Sequence, residues 1–261
     1  MAMQADPASV ISERQRAWAR QRGIHLIGSK GDRGARAYTA TLEENLFEPL
    51  SAEAQAEYAA GDGSELGQES GDPGKMQALH SSSALCCNVF HYWRRLGRLD
   101  MIAKACDLPT DAQAISFEKH LEIDAAQFRR APNLDAVLNY TDHLVAIESK
   151  FCEPFSSRPH NLLSTAYVAA SCDPFWASLA NLRALAEKLT VKDSFVQLDA
   201  AQLLKHILWV CENRAARHRR YCISTTRCRD RRVQHTMPKS RDSSTPPPVT
   251  PSAYLQRHIR K

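Results

Sequence analysis

Residues 132–155 read PNLDAVLNYTDHLVAIESKFCEPF, and the pattern of this stretch decides the fold. Two apolar runs, Leu134 to Leu138 and Leu144 to Phe151, flank the polar segment Asn139-Tyr140-Thr141-Asp142. Strand, short turn and strand is the reading, that is, a β-hairpin. Charge enters the two runs only at Asp135, Glu148 and Lys150. Side chains alternate along a strand, so Glu148 and Lys150 share one face while Ile147, Ser149 and Phe151 take the other. Across a four-residue turn, Asp135 lies opposite or diagonal to Glu148, near enough for two carboxylates to grip one ion. The Lys150 ammonium then sits roughly 7 Å further along the same face. Such charge on an apolar ribbon carries a desolvation cost unless something compensates it. Magnesium would, since it takes oxygen ligands from one or two carboxylates plus substrate phosphate; manganese is the alternative ion. The competing reading is a half-solvated sheet face on which Glu148 and Lys150 form a plain ion pair.

Before the hairpin, residues 115–123 alternate. Ile115, Phe117, Leu121 and Ile123 fall on one side, and Ser116, Glu118, His120 and Glu122 on the other, which reads as a half-exposed strand. A solvated face is the expectation for Glu118 and His120, with a place for Glu118 beside the metal as the other option. Further upstream, Ser81-Ser82-Ser83 offer capping hydroxyls to a helix, ALCCNVFHYWRRL, closed by Gly97. Leu85, Val89, Tyr92, Trp93 and Leu96 mark its apolar stripe, and Asn88 beside them reads as a satisfied boundary amide. A short helix over 99–106 follows and ends before Pro109. Ser51 caps AEAQAEYAA, which stops at Gly61. The GDGSELG that comes next lacks the lysine and preceding strand of a phosphate loop. At the N-terminus, residues 9–22 read as a short, basic, peripheral helix anchored by Trp18. Downstream, Asp173-Pro174 opens a helix carrying Trp176, Leu179, Leu182, Leu185 and Leu189, and Asp199 caps LDAAQLLKHILWVC.

The order helix, strand, hairpin, helix, with Asp135 on one strand and Glu148-Ser149-Lys150 on the next, resembles the D…(D/E)xK signature of the restriction-endonuclease-like nuclease superfamily. The words SSSALCCNVF (81–90), ISFEKHLEI (115–123) and IESKFCEPF (147–155) resemble a bacterial restriction-endonuclease branch of it. The resemblance covers roughly residues 40–212. It implies an α/β fold (a mixed, α+β sheet) with a catalytic hairpin flanked by helices. It also implies Asp135, Glu148, Lys150 and Gln202 as catalytic residues, Gln202 being where several branches carry an active-site glutamine. Asp135, Glu148 and the main chain of Ser149 would hold the metal. DNA is the implied substrate, with Lys205 and His206 as candidates for phosphate contact. A homodimer is left open.

Composition constrains these expectations. At 43% apolar, 261 residues suffice for one domain with a sizeable core. No apolar run reaches the ~18 residues of a membrane span, and the first residues lack the apolar segment of a secretory signal. Eight cysteines without CxxC pairs read as reduced, mostly buried thiols of a cytoplasmic protein. The net charge of +5 is unevenly spread: residues 214–261 hold 13 Lys+Arg against 2 Asp+Glu, and the preceding 213 residues hold 21 against 27. The globular part is therefore mildly acidic and must meet DNA through a local patch. With five prolines and few large apolar residues, 214–261 reads as a disordered basic tail. Cys222, Cys228, His218 and His235 match no common zinc spacing. The division expected is 1–40 as an N-terminal helix and loop, 41–213 as the nuclease-like domain, and 214–261 as the tail.

The resembled core would continue past 213 with another strand beside the hairpin. Its apparent absence suggests a shifted reading frame near residue 214, an open sheet edge and a marginal core. Three functions are thus weighed: a metal-dependent endonuclease, a non-catalytic nucleic-acid-binding protein relying on its tail, and an inactive relic.

Overall fold

In a computed structural model, residues 6–28, 36–61, 63–67, 71–120, 133–155, 161–177, 179–192, 195, 198–212 and 218–225 are described. Side chains are described up to residue 208. The hairpin forms as its pattern dictates. β4 (Asn133–Asn139) and β5 (His143–Lys150) pair antiparallel in the register Ala136↔Ile147 through Asn139↔Leu144. At the turn, Tyr140 is buried, stacked on His143 with ring centroids 4.1 Å apart, and donates its hydroxyl to the Pro109 carbonyl at 2.9 Å.

β3 (Ala114–His120) lies antiparallel to β4 on the outer side. The remaining neighbour of β5 is β6 (His218–Thr225), parallel to it from His143↔His218 to Lys150↔Thr225. The main sheet therefore runs β3-β4-β5-β6 and is mixed. Of the expected tail, only 218–225 is described. Over 218–225 the chain is a strand, and the side of β5 away from β4 is paired rather than open. HRRYCIST shows little strand signal of its own; pairing with β5 supplies the ladder that its composition does not announce. The rest of 214–261 lies outside the described residues, as do Leu121, Glu122 and Ile123.

Helices cover both faces of the sheet. One layer comprises α2 (Ala52–Ala60), α3 (Ser82–Arg95) and α4 (Leu99–Ala105). They pack on Ile115, Phe117, Ala136, Leu138, Val145 and Ile147. The opposite layer comprises α5 (Asp173–Trp176), α6 (Ala180–Leu189) and α7 (Ala200–Glu212), around Leu134, Val137, Ala146 and the buried Trp176. A sheet apolar on both faces needs such a double cover. α7 lies in the crossover that a parallel β5–β6 pair requires. The expected single helix over 173–189 is two pieces, with Leu179 preceding α6.

Local capping holds these helices where the sequence places them. Ser51 Oγ accepts from Ala54 N at 3.2 Å, Ser81 Oγ from Ala84 N at 3.1 Å, and Asp199 Oδ1 from Gln202 N at 2.8 Å. Each oxygen takes up a first-turn N–H that has no partner within its helix. The buried side of α3 differs from the expected stripe: Ala84, Cys86, Cys87, Phe90 and His91 are buried, whereas Leu96 is 44% exposed. Small side chains let α3 lie close to the sheet. Asn88 is satisfied as expected, accepting from Phe47 N at 2.6 Å and donating to the Asn45 carbonyl at 3.0 Å. α1 (Pro7–Gln21) is capped by Asp6, with β1 (Leu26–Ile27) and β2 (Tyr38–Thr39) forming a small separate sheet after it. No helix among the described residues is long and apolar enough to cross a membrane.

Candidate active site

The ladder between β4 and β5 ends at Ala136↔Ile147, so Asp135 and Glu148 are the next residues out, facing each other across the strands. There a side chain replaces the backbone pairing: Asp135 Oδ2 accepts from Ser149 N at 2.5 Å. One strand repeat along, Lys150 Nζ donates to Glu148 Oε1 at 2.5 Å. It also donates to Gln202 Oε1 on α7 at 3.0 Å. Gln202 and His206 stand one turn apart on α7, so both reach the charged face of β5. His206 Nδ1 lies 3.6 Å from Glu148 Oε2.

Burial sets the electrostatics. Glu148 is 1% exposed and His206 0%. Asp135 keeps partial contact with solvent. Burial pushes the Glu148 carboxyl up, more than the Lys150 charge and its hydrogen bond pull it down. Asp135 is raised well above the usual carboxylate range by burial, then by Glu148 and Glu118. For Lys150 burial is the largest influence and works downward, but Glu148, Asp135 and Glu153 together outweigh it and keep the ammonium charged. The His206 imidazole is lowered to about 3 by burial and by Lys150 and Lys205, so it is neutral at physiological pH. Its position 3.6 Å from a carboxylate is therefore not an ion pair. Glu148 Oε2 is buried and has no hydrogen-bond partner among the described residues.

Two acids join this set. Glu118 departs from the solvated face expected of it. It is 8% exposed, and burial together with Glu65 and Glu148 pushes its carboxyl up to about 7. Its backbone is left-handed (φ +44°), so strand alternation fails at this one residue. The same strain puts Glu118 opposite Asp135, between the pairs Phe117↔Ala136 and Lys119↔Leu134. Gly61 makes room for it: a Cβ there would stand 3.2 Å from both Glu118 Cβ and Oε2. His120 remains exposed as expected. Glu65, which no sequence pattern singles out, is 7% exposed, 3.6 Å from Lys75 Nζ, and raised by burial against the pull of that lysine.

The other expected site residues divide. Ser149 is buried, and its hydroxyl donates to the Ser82 carbonyl at 3.3 Å. Lys205 lies over the Tyr167 ring, 5.8 Å from its centroid. His206 faces inward behind Glu148, where no DNA phosphate reaches, so the phosphate contact expected of it does not hold. Among the described residues no three His, Cys, Asp or Glu side chains stand close enough to hold a metal by themselves. A metal held there would find two carboxylate donors, Asp135 and Glu148. That suits magnesium, whose remaining positions go to water and phosphate. The orphaned Glu148 Oε2 fits such an ion, because a buried anionic oxygen without a donor calls for a cation.

A mixed sheet sandwiched by helices, with Asp, Glu and Lys gathered where its hairpin opens, defines a restriction-endonuclease-like protein. Residues 12–236 match the family described as Restriction Endonuclease associating with ARP (REase-ARP), and the chain belongs to that family. The match continues past residue 212, where the resemblance was expected to stop, and includes β6. That continuity and the paired strand run against a shifted frame near residue 214. No curated protein and no solved structure matches the chain.

Proposed function

We propose that the chain is a metal-dependent endonuclease that hydrolyses phosphodiester bonds of DNA, with Asp135, Glu148 and Lys150 as its catalytic residues. One observation carries the reading: Glu148 Oε2 is buried with no hydrogen-bond donor, although Lys150 satisfies the other oxygen. Asp135 and Glu148 would hold magnesium, or manganese, with the Ser149 carbonyl as a further ligand. Bound there, the ion supplies an activated water and neutralises charge on the scissile phosphate.

The chain's own residues do the rest. Asp135 is tied by Ser149 N through Oδ2, which leaves its other oxygen outside that bond. Lys150 stays protonated and, steered by Gln202, offers its charge where negative charge grows on the phosphate oxygens. Preorganised charge of this kind commonly contributes a few kcal/mol to the transition state. The family's description pairs its endonucleases with ARP, and the same reading gives this chain such an associate.

The test is plasmid cleavage with magnesium, with and without chelator, by the native chain and by Glu148→Gln. The variant should lose on the order of 100- to 1,000-fold in rate while melting no lower than the native chain. Undiminished cleavage by Glu148→Gln would overturn the assignment.

A further inference from the structure

α1 presents uncompensated positive charge on a molecule whose first 213 residues are net acidic. Arg14, Arg16, Arg20 and, just past the helix end, Arg22 are exposed. None of the four has an ion-pair partner among the described residues; Arg22 lies over the Trp18 ring at 5.3 Å. The other arginines whose side chains are described, Arg36 aside, are held by acids. Arg94 pairs with Glu53 and Glu57, Arg95 with Glu48, Arg98 with Asp100, and Arg183 with Asp173 and Glu187. Among the described side chains, free arginine is therefore concentrated at α1 and its C-terminal end.

That element is moored beside the catalytic strand. Ile11 and Ala19 of α1 are buried, and Gln15 Nε2 donates to the Leu79 carbonyl. Between α1 and the start of α3 lies a cleft of about 280 Å³, lined among others by Arg14, Trp18, Ser81, Ala84 and Phe151. Phe151 directly follows Lys150, and Ser82 at the cleft's end of α3 receives the Ser149 hydroxyl. A strand laid along α1 is thus led to the place where β5 ends.

We propose that α1 is the phosphate-contacting arm of the DNA-binding surface: Arg14 receives the backbone at the cleft that opens at Phe151, and Arg16 and Arg20, one turn apart on another side of the helix, receive it away from the cleft. Arg14 to Arg20 spans about 9 Å along the helix, the length of about two or three phosphate steps of a DNA strand. The inference rests on the endonuclease reading and adds to it the route by which an acidic domain meets DNA.

The test measures binding of a fluorescein-labelled random-sequence duplex by anisotropy, in chelator, across a salt series. The native chain is compared with R14Q/R16Q/R20Q and with the charge-keeping R14K/R16K/R20K. Each lost phosphate contact lowers the slope of log affinity against log salt by about 0.9. The Gln variant should therefore be flatter by about two to three. The native chain then loses roughly 40-fold more affinity than that variant between 50 and 200 mM salt. The Lys variant should keep the native slope, which separates lost charge from lost fold. An unchanged slope in the Gln variant overturns the role of α1 and assigns the native slope to other cations, the basic tail first. A native chain that binds no duplex overturns both this inference and the endonuclease reading. Duplex binding with cleavage insensitive to Glu148→Gln overturns only the latter.

Discussion

Replacing Glu118 by Gln should stabilise the protein in alkaline buffer and do almost nothing in acid. Its carboxyl is pushed to about 7 by burial, then by Glu65 and Glu148, against an ordinary value of 4.5. As pH rises from about 4.5, the unfolded chain releases this proton while the folded chain retains it. The native state therefore loses stability through the window from about 4.5 to about 7, and the loss is complete above it. A displacement of that size corresponds to about 3 kcal/mol at 1.36 kcal/mol for each pH unit. For a domain of this length that is about 6–12 °C in melting temperature. A Gln amide keeps the shape and an acceptor oxygen for Asn133 but holds no charge. Thermal melts of native and Glu118→Gln protein at pH 5 and pH 8.5, without divalent metal, read the difference. The variant should melt higher at pH 8.5 and level with the native chain at pH 5. Asp135 and Glu148 are displaced in the same direction, so some slope must remain in the variant. A variant whose melting temperature follows pH as steeply as the native chain would show that Glu118 is not the buried proton holder.

Gln202→Ala removes the second acceptor of Lys150, and a hydrogen bond to a charged group contributes about 1.5–3 kcal/mol. The expected result is a turnover loss of roughly 10- to 100-fold with little change in duplex affinity. Equal loss of both would point to a displaced α7 instead. A stop codon after Glu212 deprives β5 of β6 and bares its edge, so that protein should aggregate or melt without cooperativity, whereas a stop after Thr225 should yield a soluble, cooperative chain. Light scattering and melting of the two truncations check this, and identical behaviour would mean that β6 is dispensable.

What the sequence disclosed was local. The hairpin shows itself because two apolar runs and a polar turn lie within one short stretch. Ser51, Ser81 and Asp199 are legible as caps because a cap needs only its own next turn. The acid-acid-lysine face was visible because strand alternation relates neighbours. Where alternation breaks, legibility ends: Glu118 takes a left-handed backbone that no residue pattern announces. The buried face of α3 differs from the stripe its large apolar side chains mark. Ala84, Cys86 and Cys87 are buried through close approach to the sheet, a property of packing rather than of hydrophobicity. β6 escaped for the same kind of reason, since its ladder belongs to β5.

His206 shows why the site can hold concentrated negative charge without collapsing into ordinary ion pairs. An imidazolium 3.6 Å from Glu148 Oε2 would neutralise that oxygen and leave nothing for a cation to do. Full burial and the nearby charges of Lys150 and Lys205 instead hold the ring neutral down to about pH 3. Lys150 is occupied with Oε1 and with Gln202. Across the strands Asp135 is engaged by a backbone N–H, which polarises it but adds no net charge. His206 and the Ser149 amide thus fix an acid in place without cancelling it, and Lys150 offsets a single charge. The repulsion left among Asp135, Glu148 and Glu118 costs the fold stability at neutral pH, and a divalent cation is the kind of ligand that would return it.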